Sequence, residues 1–135
     1  VSKLCIIAGI CGSGKSSFWE PFAKMLDYHF IDDFDLYVKN GNLRLEDFFY
    51  YLNKYDYIIT EPLAVTKEWR NGLLLNVGKY APQTEIFWIF YANESEVCLK
   101  NALSRENKEV AGYIKYLSKN YSIEPNSLIL PCYRN

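Results

Sequence analysis

The sequence predicts an α/β domain: a parallel β-sheet with helices on both faces. Three observations lead there. Apolar runs of strand length alternate with segments of helical periodicity along the chain. A glycine-rich turn, Gly9-Ile10-Cys11-Gly12-Ser13-Gly14-Lys15-Ser16, separates the first such run from the first helical segment. Two of the following runs end in acids, at Asp32-Asp33-Phe34-Asp35 and at Thr60-Glu61.

The elements follow in order. Strands are predicted over 3–8, 28–31, 56–60, 85–91 and 127–130, and helices over 15–26, 44–53, 67–78, 94–103 and 110–121. Phe18, Phe22 and Leu26 recur every four residues and give the first helix one apolar face. Leu45, Phe48, Phe49 and Leu52 do the same for the second, and Trp69, Leu73 and Val77 for the third. Asn93 followed by Glu96 resembles a capping box ahead of the fourth helix. Val110, Ile114, Leu117 and Tyr121 mark the fifth. Pro21 falls inside the first helix, where it removes a hydrogen bond and is expected to kink it. No repeat, low-complexity stretch or linker interrupts the pattern.

With 135 residues the expectation is one domain, 1–135. Half of the residues are hydrophobic and 17% aromatic, enough for a substantial core. No apolar run approaches the ~20 residues of a membrane span, and the reading is that no targeting segment precedes Lys3. The net charge of −1 gives no bulk attraction to nucleic acid. Residues 1–99 are acidic on balance, by thirteen to nine, and residues 100–135 basic, by six to three. That asymmetry suits either a phosphate-handling face or an ordinary solvated surface. Cys5, Cys11, Cys98 and Cys132 lack metal-ligand spacing and read as reduced thiols in a cytoplasmic setting. Cys5 and Cys98 read as core positions. The single histidine, His29, argues against histidine-based metal sites and triads.

The glycine turn fits G-x-x-x-x-G-K-[ST], the phosphate-binding P-loop, and its context fits as well, with a strand before it and a helix after it. Glycine leaves no Cβ between backbone and ligand, so successive N–H groups can turn toward phosphate oxygens. The helix N-terminus adds about half a positive charge. The expected phosphate-binding residues are Gly9, Cys11, Gly12, Ser13, Gly14, Lys15, Ser16 and Ser17. Lys15 reaches the β- and γ-phosphates, and the Ser16 hydroxyl completes the shell of a Mg²⁺ ion.

Ligands of open α/β sheets sit at the carboxyl ends of the strands. Asp32, Asp33 and Asp35 follow the second strand there. A carboxylate in that place can orient an attacking hydroxyl and take its proton, or hold Mg²⁺ through water. The plainer alternative is a polar turn that caps a helix. Glu61 ends the third strand, where a carboxylate supports Mg²⁺ beside Ser16. Between the last two helices, Arg105, flanked by Lys100 and Lys108, is a candidate to neutralise charge on a transferring phosphoryl group. Its alternative is a solvated helix end. Among the many aromatic residues, Phe34, Tyr37 and Trp69 are the candidates for substrate contact.

Taken together, these residues resemble a small P-loop kinase over nearly the whole chain. The resemblance is closest to the group of polynucleotide 5′-hydroxyl kinases and related small nucleoside, gluconate and toxin-type kinases. It implies a three-layer P-loop NTPase fold with a five-stranded parallel sheet in the order 2-3-1-4-5. Asp32-Asp33-Phe34 is similar to the Asp-Asp-Tyr of polynucleotide kinases and to the Asp-x-Asp-Asp-Leu of gluconate-like kinases. Asp32 leads in both alignments, which implies that Asp32 is the general base, with Asp35 and Asp33 next. Asp35 stands where polynucleotide kinases commonly carry an Arg, and Lys100 replaces a usual Arg ahead of Arg105. The implied catalytic residues are Lys15, Asp32, Asp35 and Arg105; the implied metal residues are Ser16, Asp33 and Glu61. ATP and Mg²⁺ are the implied cofactors. The acceptor is a hydroxyl or phosphate of a nucleoside, nucleotide or polynucleotide 5′-end. The alternatives are a small metabolite acceptor, or a nucleotide-binding module without transfer activity.

Overall fold

The computed structural model of the chain describes residues 1–10, 15–104, 111–125 and 127–132, and of residues 15, 16, 102–104 and 111 the backbone alone. The strands are β1 (Lys3–Ala8), β2 (His29–Ile31), β3 (Tyr57–Glu61), β4 (Glu85–Tyr91) and β5 (Leu128–Leu130). The helices are α1 (Lys15–Leu26), α2 (Phe34–Lys39), α3 (Leu45–Tyr51), α4 (Lys67–Tyr80), α5 (Ser95–Ser104) and α6 (Ala111–Lys119). A 3₁₀ turn, Pro62–Val65, joins β3 to α4. All five strands are parallel, in the order β2-β3-β1-β4-β5, with helices on both faces as expected.

Parallel strands covered on both faces must be apolar throughout rather than alternating. β3 is buried along its whole length, apolar over Tyr57, Ile58 and Ile59 and polar only at its carboxyl end, Thr60 and Glu61. Its register places Ile7 of β1 opposite Thr60 and Ala8 opposite Glu61, while Ile31 of β2 pairs with Ile59. The β1, β2 and β3 ends therefore lie side by side. Leu4, Ile6, Ile58, Phe90, Cys98, Ile114 and Leu117 join one core with the helices.

One local expectation changes. Glu94, not Asn93, takes the N-cap position of α5, because the Cys98 N–H bonds the Glu94 carbonyl at 3.0 Å. Asn93 instead donates its amide to the Ser118 carbonyl and ties α5 to the end of α6. Helix α1 runs from Lys15 to Leu26 without interruption, with Pro21 inside it.

The sequence pattern missed α2, whose six residues are too few to show a period. It also missed Arg70, an α4 side chain only 1% exposed. Arg70 donates to the Ala64 and Ser122 carbonyls, to the Ser122 hydroxyl and to Glu124, at 2.8–2.9 Å. It thereby fastens the 3₁₀ turn to the segment that leads into β5.

Candidate active site

The site is built where β2 and β3 end. Beyond Ile31 the chain turns sharply, with Asp33 in the left-handed region at φ 48°. Aspartate tolerates that conformation better than most residues. Phe34, 2% exposed, then drops into the core with its ring 4.6 Å from Phe48. That anchor starts α2 and leaves Asp32, Asp33 and Asp35 on the rim.

Each acid has a distinct setting. Asp32 is exposed, and its Oδ1 accepts from the Thr60 hydroxyl at 2.6 Å. The same hydroxyl accepts the Asp33 N–H at 2.9 Å, so its single proton is committed to Asp32. Asp35 is half-buried, and the Trp69 indole N–H reaches both of its carboxylate oxygens, at 3.0 and 3.2 Å. Its own N–H donates to Glu61 Oε1 at 2.7 Å. Glu61 also accepts the Leu63 N–H on Oε2 at 3.0 Å, so one carboxylate fastens both α2 and the 3₁₀ turn to the end of β3. Burial raises the Glu61 carboxyl to about 7, and the charges of Asp35 and Asp33 push the same way, against the two backbone N–H bonds.

Of the expected phosphate loop, the structure describes the two flanks. Gly9 and Ile10, both buried, follow the carboxyl end of β1, and α1 begins at Lys15. Ser17 is exposed in the first turn of α1. Cys11, Gly12, Ser13 and Gly14, the side chains of Lys15 and Ser16, and the Arg105 and Lys108 candidates lie outside the described residues. Lys100 is exposed on α5. Among the described residues no group of three or more His, Cys, Asp or Glu side chains gathers as a metal cage.

Of the aromatic candidates, Phe34 is core, Tyr37 is exposed on α2, and Trp69 holds Asp35. Trp69 and Asp35 line a groove of about 440 Å³ together with residues of α3, α4 and α6. Neither the Thr60–Asp32 hydrogen bond nor the groove is legible along the sequence. The Thr60-Glu61 pair at a strand end was the one local signal for the former.

Among the described residues Cys5, Cys98 and Cys132 are present as thiols, with no disulfide between them. Cys98 is fully buried with its sulfur 3.6 Å from that of Cys132, while Cys5 is only partly buried. Among the described residues no helix is long and apolar enough to cross a membrane.

No protein-family model matches the sequence, and no curated protein matches it. Solved structures do. A gluconokinase from Sinorhizobium meliloti superposes with a TM-score of 0.66 at 14% identity, over 98% of this chain and 84% of that one. The APS kinase of Mycobacterium tuberculosis, solved with AMPPNP and APS, gives 0.61 at 18% identity, over 99% and 90%. A fungal RNA kinase gives 0.61 at 12% identity, over 100% and 77%. At such identities the likeness is one of fold, and this chain has the fold of the small P-loop kinases.

Proposed function

We propose that this chain is an ATP-dependent phosphotransferase. It moves the γ-phosphate of Mg-ATP to a hydroxyl of a nucleoside, a nucleotide, a polynucleotide 5′-end or another hydroxyl-bearing compound. One observation supports the reading: an exposed Asp32, oriented by Thr60 of β3, stands one strand removed from β1, the strand that leads into the glycine turn. Thr60 pairs with Ile7, two residues before Gly9. Neighbouring strands are ~4.8 Å apart, so β2 and β1 are separated by roughly 10 Å. That spacing suits an acceptor hydroxyl held between Asp32 and a phosphate on the loop.

The roles follow. Gly9, Cys11, Gly12, Ser13, Gly14, Lys15, Ser16 and Ser17 hold the ATP phosphates through backbone and side-chain donors. Asp32 accepts the proton of the attacking hydroxyl, and Lys15 and Arg105 stabilise the transferring group. Asp35 faces the acceptor. Mg²⁺ ordinarily takes one or two carboxylates together with waters and phosphate; Ser16 and Asp33 would supply hard oxygens of that kind, and Glu61, whose two oxygens already accept backbone N–H groups, would support the ion through its waters. When bound, the ion would neutralise phosphate charge. The placement proposed is cytoplasmic, in keeping with the free thiols.

The test is transfer of labelled γ-phosphate from Mg-ATP to a 5′-hydroxyl oligonucleotide, nucleosides and nucleoside monophosphates. Asp32→Asn should keep nucleotide binding and lose at least ~100-fold in transfer. Near-wild-type transfer by that variant would overturn the assignment of Asp32. ATP binding with no transfer to any acceptor would favour a nucleotide-binding module.

A further inference from the structure

The groove lined by Asp35 has a chemistry that narrows the acceptor. Its walls are apolar and aromatic, with Phe49, Leu63, Leu73 and Trp69 on facing elements. Among the described residues its charged groups are two carboxylates, Asp35 and Glu68; its neutral polar groups are Asn76, Thr66 and the Tyr116 phenol; no Lys or Arg lines it. The cation next in sequence to Trp69, Arg70, is turned away and consumed by Ala64, Ser122 and Glu124. Asp35 itself is fixed by the Trp69 indole, so its negative charge in the groove is built rather than incidental.

A phosphate or carboxylate entering here would meet two like charges and lose its water without a compensating donor pair. A flat apolar body would gain from the aromatic walls, and a neutral or positive polar group from Asp35, Glu68 and Asn76. Resting on the kinase reading above, we infer that the groove binds an acceptor without phosphate or carboxylate: a neutral or cationic hydroxyl compound with a flat, apolar body. A nucleoside has that chemistry, whereas a nucleotide, a sugar acid or a polynucleotide end does not.

The test uses two pools with labelled Mg-ATP. The first holds nucleosides, aromatic alcohols and aromatic amino alcohols. The second holds nucleoside 3′-monophosphates, hydroxy acids and a 5′-hydroxyl oligonucleotide, so each body reappears with an anionic group. The expected result is label in the first pool at ten-fold or more the rate of the second. Glu68→Lys should narrow that ratio, because it places a cation in the groove. Label in the second pool at an equal or greater rate overturns the inference and leaves the kinase reading standing. An unchanged ratio in Glu68→Lys overturns the assignment of the acceptor to this groove. Label in neither pool, with ATP bound, overturns the kinase reading and the inference with it.

Discussion

The Thr60 hydroxyl lies 2.6 Å from Asp32 Oδ1 and points its proton there, because its acceptor side is occupied by the Asp33 N–H. The exposed acid at the end of β2 is thus oriented by a buried residue of the neighbouring strand. On the proposed kinase reading Thr60 would be a positioning residue, acting on an acceptor hydroxyl only through Asp32.

Removing that proton while keeping the side-chain shape should therefore misplace Asp32. Thr60→Val is expected to lower kcat by about 10- to 100-fold, with KM for ATP little changed. Thr60→Ser, which restores the hydroxyl, should recover most of it. Steady-state kinetics of the three proteins decide the matter; equal rates for the Val variant would remove Thr60 from the site.

Glu61 predicts a pH dependence of stability. The unfolded chain titrates this carboxyl near its ordinary 4.5, whereas burial, first among the causes, raises it to about 7 in the folded protein. Between those values the folded state holds an extra proton. Stability accordingly falls as pH rises through that window and levels off above it, by up to roughly 3 kcal/mol. Urea unfolding in EDTA without nucleotide, from about pH 5 to about pH 8, measures the slope. Glu61→Gln should flatten it. That variant should also be less stable overall, because its amide nitrogen cannot accept the second of the two backbone N–H bonds now made to Glu61.

Arg70→Met is expected to cost about 3–5 kcal/mol. The substitution fills similar space but leaves the Ala64 and Ser122 carbonyls and Glu124 without their donor. Chemical denaturation reads the loss. A midpoint within experimental error of wild type would show that the guanidinium bonds are replaced by water.

Trp69→Phe keeps most of the aromatic wall and removes one N–H. The Asp35 carboxylate then loses the donor that both of its oxygens share. A cost of about 1.5–3 kcal/mol is expected for a hydrogen bond to a charged group in a half-buried setting. Acceptor KM should rise along with it. A variant that keeps wild-type stability and KM would place Asp35 outside acceptor binding.

The sequence by itself determined the alternation of strands and helices, and with it the architecture. Buried parallel strands must be apolar from end to end, and helices packed on them must show a four-residue repeat; both signals are local, as Tyr57-Ile58-Ile59 and Trp69-Leu73-Val77 show. It also marked the phosphate loop and the three aspartates after β2, because glycine spacing and acids at a strand end are read along the chain. The tertiary structure alone decided how those acids differ. Asp32 is oriented from 28 residues away by Thr60, and Asp35 from 34 residues away by Trp69. Helix α2 depends on the same kind of contact, since Phe34 must find Phe48 for so short a helix to persist. Arg70 reads as a surface charge until the fold surrounds it with carbonyls 6 and 52 residues distant. Such hydrogen bonds exist only once strand register has brought separate segments together, and the register is set by the burial of the whole sheet rather than by any one segment.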